Sequence, residues 1–187
     1  MTNQYVTADE YRATLLSMPN KSISDSALDG ILQVATEEVE KYTERVFASA
    51  YYTEVFRGDG SRTHLVYEYP IISITSLIEN TIANPPVTLT YPSTTRLLRL
   101  TDNDAHGRIE LDGLDTSTVS FGGGAVYTLI YRGGYLTIPA GVRHATSLWA
   151  AELLRQNYGM GSALPEVTAL TSEQIVELLN PIRRRRI

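Results

Sequence analysis

The chain contains no cysteine, which excludes disulfides and thiolate metal sites outright and fits an intracellular assembly pathway. No apolar run approaches the ~20 residues needed to span a bilayer, so no membrane contact is expected. Lysine is nearly absent: Lys21 and Lys41 are the only two. The other basic groups are arginines, favoured where planar, multi-donor contacts to carboxylate or phosphate are needed. The three histidines, His64, His106 and His144, are far apart and lack the one-turn spacing of a ligand pair. No serine occupies a Gly-x-Ser-x-Gly elbow. The first ten residues are polar and carry acids, so neither a signal nor a transit peptide is expected there.

What is present is ordinary in amount and uneven in placement. At 187 residues the chain is expected to form one domain, on a prior of roughly 150 residues per domain, with enough length to bury a core without staples. Apolar residues at 43% and charged residues at 20% are typical of a globular protein. The formal charge is −5, yet Arg183, Arg184, Arg185 and Arg186 lie among the last five residues; setting those four aside takes the remainder from −5 to −9. A general nucleic-acid binder normally has a basic body, and this body is acidic.

Periodicity divides the chain into helical ends and a β-rich middle. Thr7 and Glu10 have the spacing of a capping box, and Tyr11, Leu15 and Leu16 give a short amphipathic helix before Pro19. Ser24 and Asp25 mark a second start. From there Leu28, Ile31, Leu32, Ala35, Val39, Tyr42 and Val46 recur at helical steps for about six turns. The outer face carries Glu37, Glu38, Glu40 and Glu44, with Lys41 and Arg45 toward the end. After Phe47 the period becomes two. Residues 51–56 and 63–67 flank Gly58, Asp59 and Gly60 as a hairpin would. Ile71, Ile72, Ile74, Leu77 and Ile78 form another β segment, followed by strand candidates at 87–91, 96–100, 108–111, 118–121 and 125–131.

Residues 131–149 hand a strand over to a helix. Gly133 and Gly134 permit a tight turn, and Pro139 fits a first helical position, where an N–H is unpaired anyway. Val142, Ala145, Leu148, Trp149 and Leu153 then repeat on one apolar face, which predicts Trp149 in the core. This helix is expected to end near Tyr158, before Gly159 and Gly161. Thr171 and Gln174 offer another capping box, and a last short helix with Ile175, Val176, Leu178 and Leu179 stops at Pro181.

None of this converges on a reaction. Asp102, Asn103 and Asp104 form an acidic loop with Gly107 at the sixth position of a calcium loop, but Gly113 stands where the twelfth-position acid is required, so a plain polar turn is expected. Gly122, Gly123 and Gly124 are followed by a strand instead of the helix that a phosphate cradle requires, so a turn is expected. The sequence predicts no enzyme, with no catalytic, cofactor-binding or metal-binding residue and no cofactor. The feature with most functional content is the arginine run. Four guanidinium groups beyond a proline stop can reach outward and pair with carboxylate or phosphate.

The order of several short motifs resembles a known family. Glu40, Tyr42, Arg45 and Phe47 close the helix before the first strand; Phe56, Gly58 and Gly60 form a strand and turn; Tyr69, Pro70, Ile71, Ser73, Ile74, Thr75 and Ser76 follow; residues 131–149 supply Gly-Gly-Tyr, Ile-Pro and an Ala-rich helix. In this order they are similar to the head–tail connector, or adaptor, proteins in the neck of long-tailed bacteriophages. The stretch 81–118 is longer and more polar than in the family, and the tail after Pro181 does not align with it.

The resemblance implies an α+β fold: a helical bundle of two N-terminal helices, one long helix after Pro139 and one short C-terminal helix. An antiparallel β module over about 51–135 is inserted in it. A single connector domain over 1–181 and a basic tail over 182–187 are expected. The family further implies a virion protein assembled in the host cytoplasm. It would form a cyclic ring of its own copies under the portal protein and extend the DNA channel, touching the passing genome only transiently and nonspecifically. It would present a surface to the next neck (stopper or head-completion) or tail-completion protein. Because C-terminal segments of the family dock onto the portal, Arg183, Arg184, Arg185 and Arg186 become candidate portal-binding residues. The alternative reading is a small nucleic-acid-binding module that uses the arginine-rich tail.

Overall fold

The computed structural model describes residues 4–14, 23–80, 87–89, 96–100, 107–113, 120–158 and 172–183. The elements run α1 (Ala8–Thr14), α2 (Asp25–Thr43), β1 (Ala50–Arg57), β2 (Thr63–Leu65), β3 (Ile71–Asn80), β4 (Val87–Leu89), β5 (Arg96–Leu100), β6 (Arg108–Gly113), β7 (Val126–Gly133), α3 (Ala140–Tyr158), α4 (Ser172–Leu179) and a 3-10 turn (Asn180–Ile182). The fold is α+β; the described residues form four α-helices, and every strand pair among them is antiparallel. The chain divides into two compact units. Met1–Ala48 together with Thr137–Ile187 makes a helical unit, and Ser49–Leu136 makes a β unit.

In the helical unit the caps form where their residues predict them. The Thr7 N–H donates to Glu10 Oε2 at 3.0 Å and the Glu10 N–H to Thr7 Oγ1 at 3.2 Å, so two free helix-start donors are satisfied reciprocally. Ser24 caps α2 by accepting from the Ala27 N–H at 3.3 Å. Leu28, Ile31, Leu32, Ala35, Thr36, Val39 and Thr43 are its buried residues. The helix is shorter than its hydrophobic repeat suggests. Its 19 residues end at Thr43, where Glu44 turns left-handed at φ 56°, so Val46 lies beyond it and Tyr42 is only half-buried. Tyr5 ties down the exit: its hydroxyl accepts from the Phe47 N–H at 2.8 Å and donates to the Glu40 carboxylate. The two rings meet edge to face, 5.9 Å apart, and the buried Arg45 guanidinium lies 5.1 Å from the Phe47 ring centre.

The later helices pack on this frame, α3 against α2 and α4 against both. Val142, Ala145, Thr146, Leu148, Ala150 and Leu154 are buried on α3. Trp149 and Leu153 are not: each is half-buried, which corrects the placement of Trp149 in the core. Pro139 sits one position before the helix instead of first in it, with its carbonyl accepting the Arg143 N–H at 3.1 Å. Ile175 and Leu179 anchor α4, while Leu178 is exposed.

The β unit is built from two sheets, ordered β1-β7-β3-β4 and β2-β6-β5. Ile71, Ile74, Leu77, Tyr127, Leu129 and Tyr131 of the first and Ile109 and Leu111 of the second share one core with Val66 and Phe121. The expected hairpin between residues 51–56 and 63–67 does not form. β1 pairs with β7 over its whole length and β2 with β6. The Gly58-Asp59-Gly60 turn instead meets the glycine turn ahead of β7. The Gly58 N–H donates to Ala125 O at 2.9 Å and the Gly60 N–H to Phe121 O at 2.8 Å. A Cβ on Gly58 would stand 2.2 Å from Gly122 O, so only glycine lets the two turns interlock. Ser120 and Phe121 are not in a strand, which removes the described half of the candidate at 118–121.

Candidate assembly surface

The C-terminal arginine run begins on the helical unit. Tyr42, in the last turn of α2, donates its hydroxyl to Asn180 Oδ1 at 2.7 Å and so fixes the start of the 3-10 turn. Arg183 follows that turn with extended backbone (ψ 141°). Its guanidinium lies 5.2 Å from the Tyr42 ring centre and 3.6 Å from Glu44 Oε1. The left-handed Glu44 that stops α2 thus offers the carboxylate that receives the arginine. Contact with the fold continues past Pro181, and Arg183 is held at its base, with its side chain 47% exposed. Arg184, Arg185 and Arg186 lie outside the described residues.

The turn that delivers β7 to α3 is specified by glycine. A Cβ on Gly133 would come within 2.9 Å of Glu68 O. Gly134 has φ 95° and donates its N–H to Pro70 O at 2.9 Å. Gly133, Gly134 and Pro139 therefore shape a structural passage, and Trp149 lies on α3 at a partly exposed position.

Within the β unit a polar cluster escaped sequence reasoning, because its members are spread along the chain. Both Glu54 oxygens accept the Tyr67 N–H at 3.1 Å, and His64 Nε2 stands 3.9 Å from Glu54 Oε1. The His64 ring stacks flat on Phe56 at 3.5 Å. Tyr131 accepts the Glu68 N–H at 2.9 Å and also bonds Glu54. Burial pushes the Glu54 carboxyl up, but bonds from His64, the Tyr67 N–H and Tyr131 outweigh it and hold the group below its usual range. Burial pushes the Tyr131 hydroxyl well above the ordinary phenol value. This arrangement cross-braces two sheets. His144 lies exposed on α3, and His106 and the Asp102-Asn103-Asp104 loop fall outside the described residues. Among the described residues no group of three or more His, Asp or Glu is placed to hold a metal ion, and no helix is long and apolar enough to cross a membrane.

A groove of about 290 Å³ opens in the helical unit, lined by Val6, just before α1, by Ala13 of α1 and by α3 residues including Arg143 and His144. Arg143 and Glu10 face each other there at 3.4 Å. The apolar surface is concentrated elsewhere. Tyr51, Val55, Leu65, Tyr67 and Leu136 of the β unit are exposed, against Val34 and Leu178 of the helical unit. The surfaces of both units thus offer contact chemistry, a half-anchored basic tail and an apolar strand margin.

No protein-family model and no curated protein matches the sequence. Solved structures do. A chain in the neck of an empty gene transfer agent (GTA) particle, computed with C6 symmetry, superposes with a TM-score of 0.61 at 20% identity, over 98% of this chain and 91% of that one. The fold is similar to that of this gene transfer agent neck chain. A chain in the virion of a native GTA particle matches with a TM-score of 0.58 at 18% identity and the same coverage. The likeness is one of fold, and it agrees with the α+β fold that the motif order implies.

Proposed function

We propose that the protein is a structural component of a virion neck, a head–tail connector without enzymatic activity. The observation that carries this reading is the fold likeness to a GTA neck chain, which spans 98% of this chain and 91% of the other. A local motif shared between unrelated proteins would not extend over both chains in this way. The C6 symmetry of that neck supports a cyclic arrangement, in which each copy makes the same contact with its neighbour. On this reading residues 1–181 act as one connector domain in a ring beneath a portal protein. The ring lengthens the DNA channel, touches the passing genome only nonspecifically, and offers its far side to the next neck or tail-completion protein. It is assembled in the host cytoplasm and ends at the head–tail interface. Arg183 to Arg186 serve as the portal-directed arm, rooted on Tyr42 and Glu44.

The protein alone is expected to be monomeric or weakly associating and to form rings with portal. Electron microscopy and light scattering with and without portal test this. Rings on portal addition support the reading, and a tight twofold dimer indifferent to portal overturns it. A nucleic-acid module working through the tail would instead bind DNA with a steep salt dependence and form no ring.

A further inference from the structure

The outer margin of β1, which no described strand covers, belongs to a kind of surface that monomers avoid. β1 spans eight residues, Ala50–Arg57, and among the described residues ladders only to β7, at one end of its sheet. Its side chains alternate. Tyr52, Glu54 and Phe56 turn toward the core side, and Tyr51, Thr53, Val55 and Arg57 toward water. Tyr51 is 70% and Val55 65% exposed. Exposed edges in soluble proteins are ordinarily blunted by lysine, proline, brevity or inward charge. β1 is long, contains neither lysine nor proline, and its inward Glu54 is already bound by His64 and the Tyr67 N–H. The apolar row continues onto β7, where Thr53 faces Ile130 and Arg57 faces Val126. Arg132 holds the Tyr51 ring from 5.9 Å.

A row of backbone donors and acceptors is matched by another strand. The same sheet supplies a candidate. β4 ends the order on the opposite side and, among the described residues, ladders only to β3. Every neighbour pair in the sheet is antiparallel, so β4 runs opposite to β1. A second copy can therefore lay its β4 beside β1 and continue the alternation. A contact using two different edges is heterologous, and repeated with rotation it closes into a ring.

We infer that β1 is the subunit interface, taking the β4 edge of a second copy so that the sheet runs on from one copy to the next. This rests on the ring reading above and names the surface that makes the ring.

The test uses the full chain with portal. Val55→Lys places a natural edge guard on β1, and Val34→Lys puts the same charge on α2 as a control. Thermal melts of both should match the parent. Ring formation should fall at least tenfold for Val55→Lys and stay unchanged for Val34→Lys. Because the chain has no cysteine, mixing Val55→Cys with single cysteines at positions 87, 88 and 89 reports the pairing directly. Disulfide-linked dimers should form from the mixture and from neither variant alone. Rings that form equally well with Val55→Lys would overturn the interface while leaving the ring reading intact. Rings sensitive to Val55→Lys that give no cross-link to any of the three positions would overturn the β4 assignment. If the parent forms no ring with portal, the ring reading fails first and this interface falls with it.

Discussion

The two units solve the same burial problem with different materials. The helical unit fills its interior largely with small and aliphatic groups, Ala35, Ala145, Ala150, Leu28, Leu32 and Leu154, and hides threonine hydroxyls by returning them to the preceding turn. The β unit concentrates rings. Phe56 packs against Phe121, Tyr127 and His64, and the buried tyrosines each find a partner at the rim: Tyr127 with the Gly122 N–H and Glu79, Tyr131 with the Glu68 N–H. A helix satisfies its own backbone and can bring its sides close through alanine. Sheets stand about 10 Å apart, and large rings fill that space while their hydroxyls reach loops that no ladder serves. Stability in the β unit should therefore depend on few, large and mutually braced positions.

The most damaging single change is expected where two turns of the β unit interlock. Gly58→Ala places a methyl 2.2 Å from Gly122 O and 2.7 Å from Phe121 O, both backbone atoms that no rotamer change relieves. Overpacking ordinarily costs about 1–3 kcal/mol and sometimes more, and the upper end is expected here. Gly30→Ala meets nothing within 4 Å on α2 and should stabilise by up to about 1 kcal/mol through helix propensity. Chemical denaturation of the two variants sharpens the contrast. Equal and small effects would break it.

Hydroxyl deletions separate the units next. Tyr131→Phe strips partners from the Glu68 N–H and Glu54, and Tyr5→Phe does so for the Phe47 N–H and Glu40. Each should cost about 1–3 kcal/mol, the penalty for stranding a buried polar group. Tyr11 is also fully buried, but its hydroxyl has no hydrogen-bond partner among the described residues, so Tyr11→Phe should be neutral or stabilising. Burial pushes the Tyr11 hydroxyl up to about 12. Its neutral form therefore favours the fold below pH ~10, and that contribution fades as pH rises from there through about 12. Alkaline melts of Tyr11→Phe should lose this part of the decline.

Acid should act on the β unit through Glu54. Its folded-state value lies below its ordinary one, so the unfolded chain takes up the proton more readily. The stability it contributes is present above the normal carboxylate range, ~4.3, and is lost as pH falls below that. Glu54→Gln should lower stability at neutral pH and flatten the acid limb of a stability profile followed by circular dichroism. A parallel acid limb in parent and variant would remove Glu54 from the bracing.

These contrasts also mark what could be read in the sequence. α2 was legible because Ser24 caps it and the apolar residues from Leu28 to Val39 recur at 3.6-residue steps. Its end was not, since Val46 continues the period after the backbone has turned at Glu44. On α3 the buried positions include 145, 146, 148 and 150, so the apolar face is broad, and periodicity could not separate Trp149 from Leu148 or Leu153 from Leu154. In the β unit, alternation marks where strands run but carries no information about partners. Gly58-Asp59-Gly60 looks like a local hairpin turn, whereas β1 pairs with β7, far along the chain, from Arg57 against Val126 to Ala50 against Gly133. The arginine run was plain from charge alone. Its anchor was hidden, because Tyr42 and Glu44 come together with Arg183 only once α4 has folded back along α2.

The smallest effect on folding is expected at that anchor, and it discriminates an arm from a structural terminus. Both partners of the Arg183–Glu44 pair are substantially exposed, 47% and 32%, and exposed ion pairs contribute about 0–1 kcal/mol. The Tyr42 stack adds about 0.5–1 kcal/mol at such a site. Arg183→Ala should thus lower the melting temperature by no more than about 4–8 °C, and removing residues 184–187 should fall within the ~0.5 kcal/mol of neutral surface changes. Attachment to portal-bearing heads should respond in the opposite order. The truncation, which deletes three of the four guanidinium groups, should weaken it more than Arg183→Ala does. Replacing Arg184, Arg185 and Arg186 with lysine should restore it only in part, because an ammonium keeps the charge but loses the forked geometry. Attachment equal to that of the full chain after truncation would show that the run does not serve as an arm. Unfolding after truncation would show that the last residues are structural, and that the helical unit extends further along the tail than Arg183.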